Sequence, residues 1–317
     1  MIRVGEETAD IDLSKLTVIN NARLVTKLLI VIALITVFVT LVLLTRGALL
    51  VLSMILLGLM YAHAVELQHQ CLHNTGFRSR RLNRGVGIVL GLPQLVSFSD
   101  YQSSHFQHHK LLGTPEDREF FNYGYEALTS LKSLIPHLLM LRHYWDVAVN
   151  ISKSLRGLTR TDVPARAAQR IRTEYLIMAG FLFSIAAITV AFNSLIFLKI
   201  WLLPLLIAIP THALIELPEH IGCENQTNDV LRNTRTIKAS RFGVWFTDGN
   251  NYHVEHHWLP GVPNDKLPEL HKKLETRIAH LESSYVSFYW WFLRQLFYGT
   301  LQTRRSLAKG VRTGAQL

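Results

Sequence analysis

The feature that most constrains this chain is a set of four apolar stretches, each close to the roughly 20 residues that about 30 Å of hydrocarbon requires. They run from about Leu28 to Leu44, Ala48 to Leu67, Tyr175 to Phe192 and Leu195 to Ile215. Only Thr45, Arg46 and Gly47 separate the first two, and Asn193 and Ser194 join the second pair, so the sequence predicts two hairpins. Buried helices of a large soluble protein are the other reading. Two such hairpins within 317 residues leave little polar mass to cover them, and 49% hydrophobic residues with a positive mean hydropathy favour a membrane protein.

The basic residues then orient the hairpins. Of 33 Lys and Arg, only Arg46 and Lys199 fall within the hairpin regions. Positive charge accumulates in cytoplasmic loops, so both termini and the long central segment are expected on that side. The formal charge of +10 is therefore a topology signal and an anionic-lipid-facing surface, and nucleic acid is not expected as a partner. The expected architecture is an all-α integral membrane protein of one domain, 1–317. It has a cytoplasmic tail (1–27), transmembrane hairpins (28–67 and 175–215) and a cytoplasmic helical cap (73–172 and 216–317).

Several segments of the cap are legible. Met1 to Asp10 is polar and contains acids, so it reads as a short tail and not a secretory leader. Gly85 to Phe98 is apolar but short and broken by Pro93, which suits an interfacial or re-entrant segment. Leu131 to Val149 mixes His137, Arg142, His143 and Asp146 with apolar residues, as a helix lying on the membrane surface does. Tyr289-Trp290-Trp291-Phe292 resembles an interfacial aromatic belt. Cys71 and Cys223 are too few for a disulfide framework or a cysteine-rich zinc site and read as small, reduced, semi-buried hydrophobes.

Fifteen histidines are present, and most fall in short groups. His69 and His73 form an HxxxH; His105, His108 and His109 an HxxHH; His253, His256 and His257 a second HxxHH. Positions i, i+3 and i+4 share a helix face, so each group can aim two or three imidazoles at one place. His69 lies 21 residues past Ala48, roughly 32 Å along a helix, which places it at the cytoplasmic boundary with the other groups. Imidazole suits iron, zinc, copper and nickel alike. Eight rings exceed the three protein ligands of a usual catalytic zinc, so two metals fit better than one. Solvated surface histidines would not repeat this spacing three times on one membrane face.

In these three groups the chain resembles the membrane fatty-acid desaturases and hydroxylases, with the related alkane monooxygenases, from about Tyr61 to about His271. Asn250-Asn-Tyr-His-Val-Glu-His-His-Trp-Leu-Pro260, followed by Gly-Val-Pro263, is similar to the family's third box and its flank. Glu219-His220-Ile-Gly is similar to a segment of the alkane-monooxygenase branch. The resemblance implies two iron ions held by His69, His73, His105, His108, His109, His220, His253, His256 and His257. It also implies dioxygen as co-substrate and a lipid or acyl-chain substrate. Electrons would come from an external donor: a ferredoxin, a rubredoxin, or a b-type cytochrome with its reductase. The third box and its flank point to desaturation, with hydroxylase, ketolase or alkane-type chemistry as the alternative. The first box has three residues between its histidines where some animal relatives have one more. Glu216 stands where relatives place an asparagine near iron; it reads equally as a ligand, as a support for one, or as neither.

Other residues carry plainer readings. His63 is expected in the interior, Glu66 can orient a ligand, and His212 is a functional or packing group within the fourth stretch. Asp248, Asn250 and Asn251 flank the third box as turn or supporting groups. His137, His143, His271 and His280 match no box and read as interfacial or solvated. Arg232, Arg235, Lys238 and Arg241 are expected to face lipid phosphates or a redox partner. A membrane metal transporter, a zinc hydrolase and a lipid-binding scaffold with a decayed site are the rival classes. Transport predicts ligands near the bilayer midplane, and a zinc hydrolase predicts fewer of them.

Overall fold

Helix formation follows the apolar stretches but overruns their ends. The computed structural model describes residues 13–299 apart from 115, 118–120, 122–127, 129 and 225, so the Met1 to Asp10 tail lies outside the described residues. After α1 (Leu13–Leu16), Asn20 caps α2 (Asn21–Leu44) by accepting the Ala22 amide at 3.1 Å. Gly47, at a φ of 60° that disfavours a side chain, turns the chain into α3 (Gly47–Leu72). Hydropathy marks only the part of a helix that sits in hydrocarbon. The hydrogen-bond ladder continues through Gln68 to Leu72, and that extension carries His69.

The chain then forms α4 (Arg80–Gly91), a 3-10 turn (Leu92–Gln94) and α5 (Phe98–Leu111). The segment expected to be interfacial or re-entrant thus becomes a helix and turn packed along α3. Gln68 Nε2 donates to Gly87 O at 2.9 Å, and Gln94 Nε2 donates to Tyr61 O at 3.1 Å. The stretch expected as one surface helix is instead two, α6 (Leu131–Leu138) and α7 (Leu141–Leu155). Pro136 withdraws a backbone donor inside α6, and Met140 adopts a left-handed φ of 47° at the break.

A second long pair follows, α8 (Ala165–Ala191) and α9 (Leu203–Glu216), the latter entered through a π turn at Leu198–Leu202. Beyond it lie α10 (Val230–Asn233), β1 (Arg235–Ile237), α11 (Arg241–Phe246), α12 (His253–Trp258), α13 (Leu267–Leu274), β2 (His280–Glu282) and α14 (Tyr285–Tyr298). The chain is mostly helical, but β1 and β2 pair in parallel with Arg235 opposite His280, a small departure from the all-α expectation. So short a ladder leaves no periodicity in the sequence.

Among the described residues four segments are long and apolar enough to cross a membrane: Leu13–Leu44, Gly47–Leu72, Ala165–Ala191 and Leu198–Glu216. Leu29 (62% exposed), Phe183 (75%) and Val190 (81%) present apolar surface outward. Such surface is stable against lipid and costly against water. α3 and α9 are the inner pair. A Cβ on Gly58 would lie 2.5 Å from Pro204 O, so the two backbones nearly touch there.

The polar segments gather at one end of these helices. Near the start of α2, Lys27 reaches Asp248 Oδ1 at 2.6 Å. In α8, Glu174 takes hydrogen bonds from Ser97, Ser99 and Arg84. At the end of α9, Glu216 meets the Tyr101 hydroxyl at 3.3 Å. These contacts position α5 and the segments after α9 over the C-terminal end of α3, where His69 and His73 lie.

Candidate metal centre

Each histidine box folds on a helix or at its end, and helix geometry decides how its rings divide. Residues four apart differ by about 40° around the axis and neighbours by about 100°. His105 and His109 of α5 therefore point together, whereas His108 points elsewhere. His253 and His257 of α12 point together and His256 diverges. His69 and His73, at the end of α3, form the third pair.

The rings sort into two groups. In the first, Nε2 atoms run from His69 to His105 (2.8 Å), from His105 to His109 (2.9 Å) and from His109 to His256 (3.0 Å). His73 joins them, its ring centroid 4.5 Å from that of His256. In the second, His108 and His253 each place Nε2 3.2 Å from His220 Nε2, and His257 lies 3.0 Å from His253. Each i, i+4 pair stays within one group, and the odd ring of each HxxHH crosses to the other. His109 and His257 stack at 4.1 Å where the groups meet. All nine histidines singled out from the sequence are thus brought together.

The outward nitrogens set the tautomers of three rings. His69 Nδ1 is 3.0 Å from Asn250 Oδ1, His108 Nδ1 is 2.8 Å from Asp117 Oδ1, and His220 Nδ1 is 3.2 Å from Asn233 O. Each partner accepts, so each Nδ1 carries the hydrogen and each Nε2 turns a lone pair inward. Burial, reinforced by neighbouring rings, holds His73, His105, His109, His253, His256 and His257 well below the usual imidazole value. Burial and then His108 bring His220 down to about 3. These rings are neutral.

Neutral rings packed this way fit metal ions. A neutral ring offers each Nε2 one hydrogen or one lone pair, so His105 and His109, each touching two other Nε2 atoms, cannot make two good hydrogen bonds. His73 Nε2, in the same group, is buried without a hydrogen-bond partner. Imidazole nitrogens bound at about 2.0–2.1 Å to a shared cation would sit about 3 Å apart, as these do.

The remaining candidates take varied places. Glu216 Oε1 lies 3.1 Å from His212 Nε2 and near Tyr101, in neither ring group. Glu66 is one step behind His69: it accepts from Asn250 Nδ2 at 2.7 Å and meets His212 Nδ1 at 3.0 Å. Asn251 ties its loop to Ile237 O at 2.9 Å. His63 is interior, stacked 4.6 Å from Trp245.

Three readings are corrected. His143 is not interfacial but buried against Phe121, its ring 5.3 Å away, because α7 folds back on Gln94. His271 is not solvated; its Nδ1 lies 2.5 Å from the buried Glu255. Arg235 faces neither phosphate nor partner: it is 3% exposed and bonds the carbonyls of Pro218 and Ile221. Arg232, Lys238 and Arg241 do lie exposed.

Other residues were given no role of their own from the sequence. Glu219 Oε2 is 3.2 Å from His253 Nε2 and offers the second group a carboxylate. Asp117, nine residues beyond His108, carries no spacing signal. Glu255 had one: two positions after His253 it must point away from the His253–His257 face, and there it meets Thr236 and His271.

Fold and site together define a multi-span membrane protein with nine histidines converging at one end of its helices. Residues 45–289 match the model of the fatty acid desaturase family, and the chain belongs to that family of oxidoreductases. It is similar to an sn-1 oleoyl-lipid 12-desaturase of Arthrospira platensis, at 22% identity over 215 residues. The match covers 62% of this chain and 59% of that protein, so the chain spans about three-fifths of the length of the curated relative it matches.

Proposed function

We propose that this chain is a membrane di-iron oxidase that desaturates an acyl chain of a lipid. The observation that carries the reading is the division of nine imidazoles, six buried and three half-buried, into two adjacent groups, in a chain of this family. His69, His73, His105, His109 and His256 would hold one ion, and His108, His220, His253 and His257 the other, with Glu219 within reach of the second. Two irons bound there would supply, with dioxygen and external electrons, the oxidant that removes hydrogen from an unactivated carbon.

The protein's own part is positioning and exclusion. Asn250, Asp117 and the Asn233 carbonyl keep three rings in the ligating tautomer. Buried Tyr101, its ring 5.5 Å from that of His105, and Phe121, packed on Tyr101, are among the aromatic groups that keep bulk water from the centre. The distribution of Lys and Arg supports cytoplasmic termini and a cytoplasmic site capped by the segments 73–172 and 216–317. The net charge of +10, with Arg241 exposed, favours an acidic electron carrier by steering, with a ferredoxin, rubredoxin or b-type cytochrome as candidates. The name of the relative supports a glycerolipid acyl chain as substrate.

Mass spectrometry of lipids from cells with and without the protein tests the reading. Loss of two hydrogens from an acyl chain is expected. Gain of an oxygen would make the enzyme a hydroxylase, and purified protein holding one zinc per chain would overturn the di-iron assignment.

A further inference from the structure

His220 differs from its eight companions. They lie on α3, α5 and α12 or at a helix end, so the helix aims them; His220 lies in the turn that follows α9. Something else must aim it.

Arg235 meets that need through the backbone on either side of His220. Its Nη1 donates both hydrogens to the turn, one to Pro218 O and one to Ile221 O at 2.8 Å, on either side of His220. Its backbone amide donates to Glu219 O at 2.8 Å. One residue therefore holds three carbonyls of the turn. Above the guanidinium lie the rings of Phe288 (4.8 Å) and Trp291 (5.7 Å) from α14. Trp291 also packs on Gly222, where a Cβ would fall 2.5 Å from the indole.

The next residue completes the arrangement. Successive side chains of a strand point to opposite faces, so while Arg235 reaches the turn, Thr236 reaches α12. Its hydroxyl donates to Glu255 Oε2 at 2.6 Å and accepts from Val254 N at 3.2 Å. β1 thus sets the turn bearing His220 against the helix bearing His253 and His257.

We propose that Arg235 is a positioning residue for His220, and that through it the second ring group, but not the first, is assembled. The inference rests on the di-iron reading. Lysine cannot replace the guanidinium here, because its ammonium lacks the planar face that stacks between the turn and two aromatic rings.

The test is anaerobic titration of the full chain in detergent with Fe2+, bound iron being counted by elemental mass spectrometry. The wild type is expected to bind two irons. Arg235→Gln should bind one as tightly as wild type and the other about ten-fold or more weakly, the usual cost of losing a ligand's support. Arg235→Lys, which keeps the charge and the stem and so protects folding, should show the same split. If both variants bind the second iron as tightly as wild type, the inference fails. It fails equally if both irons weaken together in step with the thermal midpoint, which is the mark of a merely structural role. A wild-type chain that binds fewer than two irons removes the di-iron reading and this inference with it.

Discussion

Asn250 Oδ1 accepts from His69 Nδ1 at 3.0 Å, and the orientation of that amide is locked from both sides. Its Nδ2 donates to Glu66 Oε2 at 2.7 Å, and its oxygen also receives Asn264 Nδ2 at 2.9 Å. A flipped amide would set oxygen against carboxylate and nitrogen against two donors. The buried carboxylate of Glu66 thus dictates, through an amide, which nitrogen of His69 faces the centre.

Asn250→Ala removes this lock. Iron affinity is expected to fall about 10- to 100-fold, as it does when a ligand histidine loses its outer hydrogen-bond partner. A competition titration against a calibrated chelator measures it, and an unchanged affinity would show that the amide does not set the ring.

Gly58 allows α3 and α9 to touch. A methyl there would meet Pro204 O at 2.5 Å and Ile207 Cβ at 2.7 Å, so Gly58→Ala should cost about 1–3 kcal/mol by overpacking. Because α3 ends in His69 and His73 while α9 leads to His220, iron content should fall with it. Thermal unfolding in detergent and metal analysis together check this; a variant as stable as wild type contradicts the close approach.

Thr236→Val keeps the volume of the side chain but takes away the hydroxyl shared by Glu255 Oε2 and Val254 N. Leaving those buried groups short of a partner should destabilise the protein by about 1–3 kcal/mol. Thr236→Ser should restore most of it. Chemical denaturation of the three proteins decides the matter, and equal midpoints would deny the hydroxyl any role.

Acid should weaken the metal-free protein. His220 has its ordinary value of 6.5 when unfolded and about 3 when folded, the first cause being burial. Between those values the unfolded chain binds a proton that the folded chain does not, so stability falls as pH falls below about 6.5. His73, His105, His109, His253, His256 and His257 shift in the same direction and add to the slope. Denaturation midpoints measured between pH 8 and pH 5 should be level above neutrality and decline below it. A flat profile would mean the rings are not buried as described.

Much of the centre was legible because its signals are short-range. A pair such as His105 and His109 shares a face wherever the helix is placed. Contacts such as His108 to Asp117 join residues at no regular interval, across a bend that no spacing encodes. The same holds for Arg235: a strand of three residues has no pattern to announce that one side chain is inward, and its charge argued for the surface.

By itself, then, the sequence determined the four apolar stretches and the three histidine boxes, because hydrophobic length and helical period are properties of neighbouring residues; His220 was reached only through the family resemblance. Tertiary structure alone decided that His108 leaves His109 for the company of His220, that His143 is buried, and that Arg235 clamps a turn. Those outcomes depend on which distant segments meet, and that is set by packing across the whole chain.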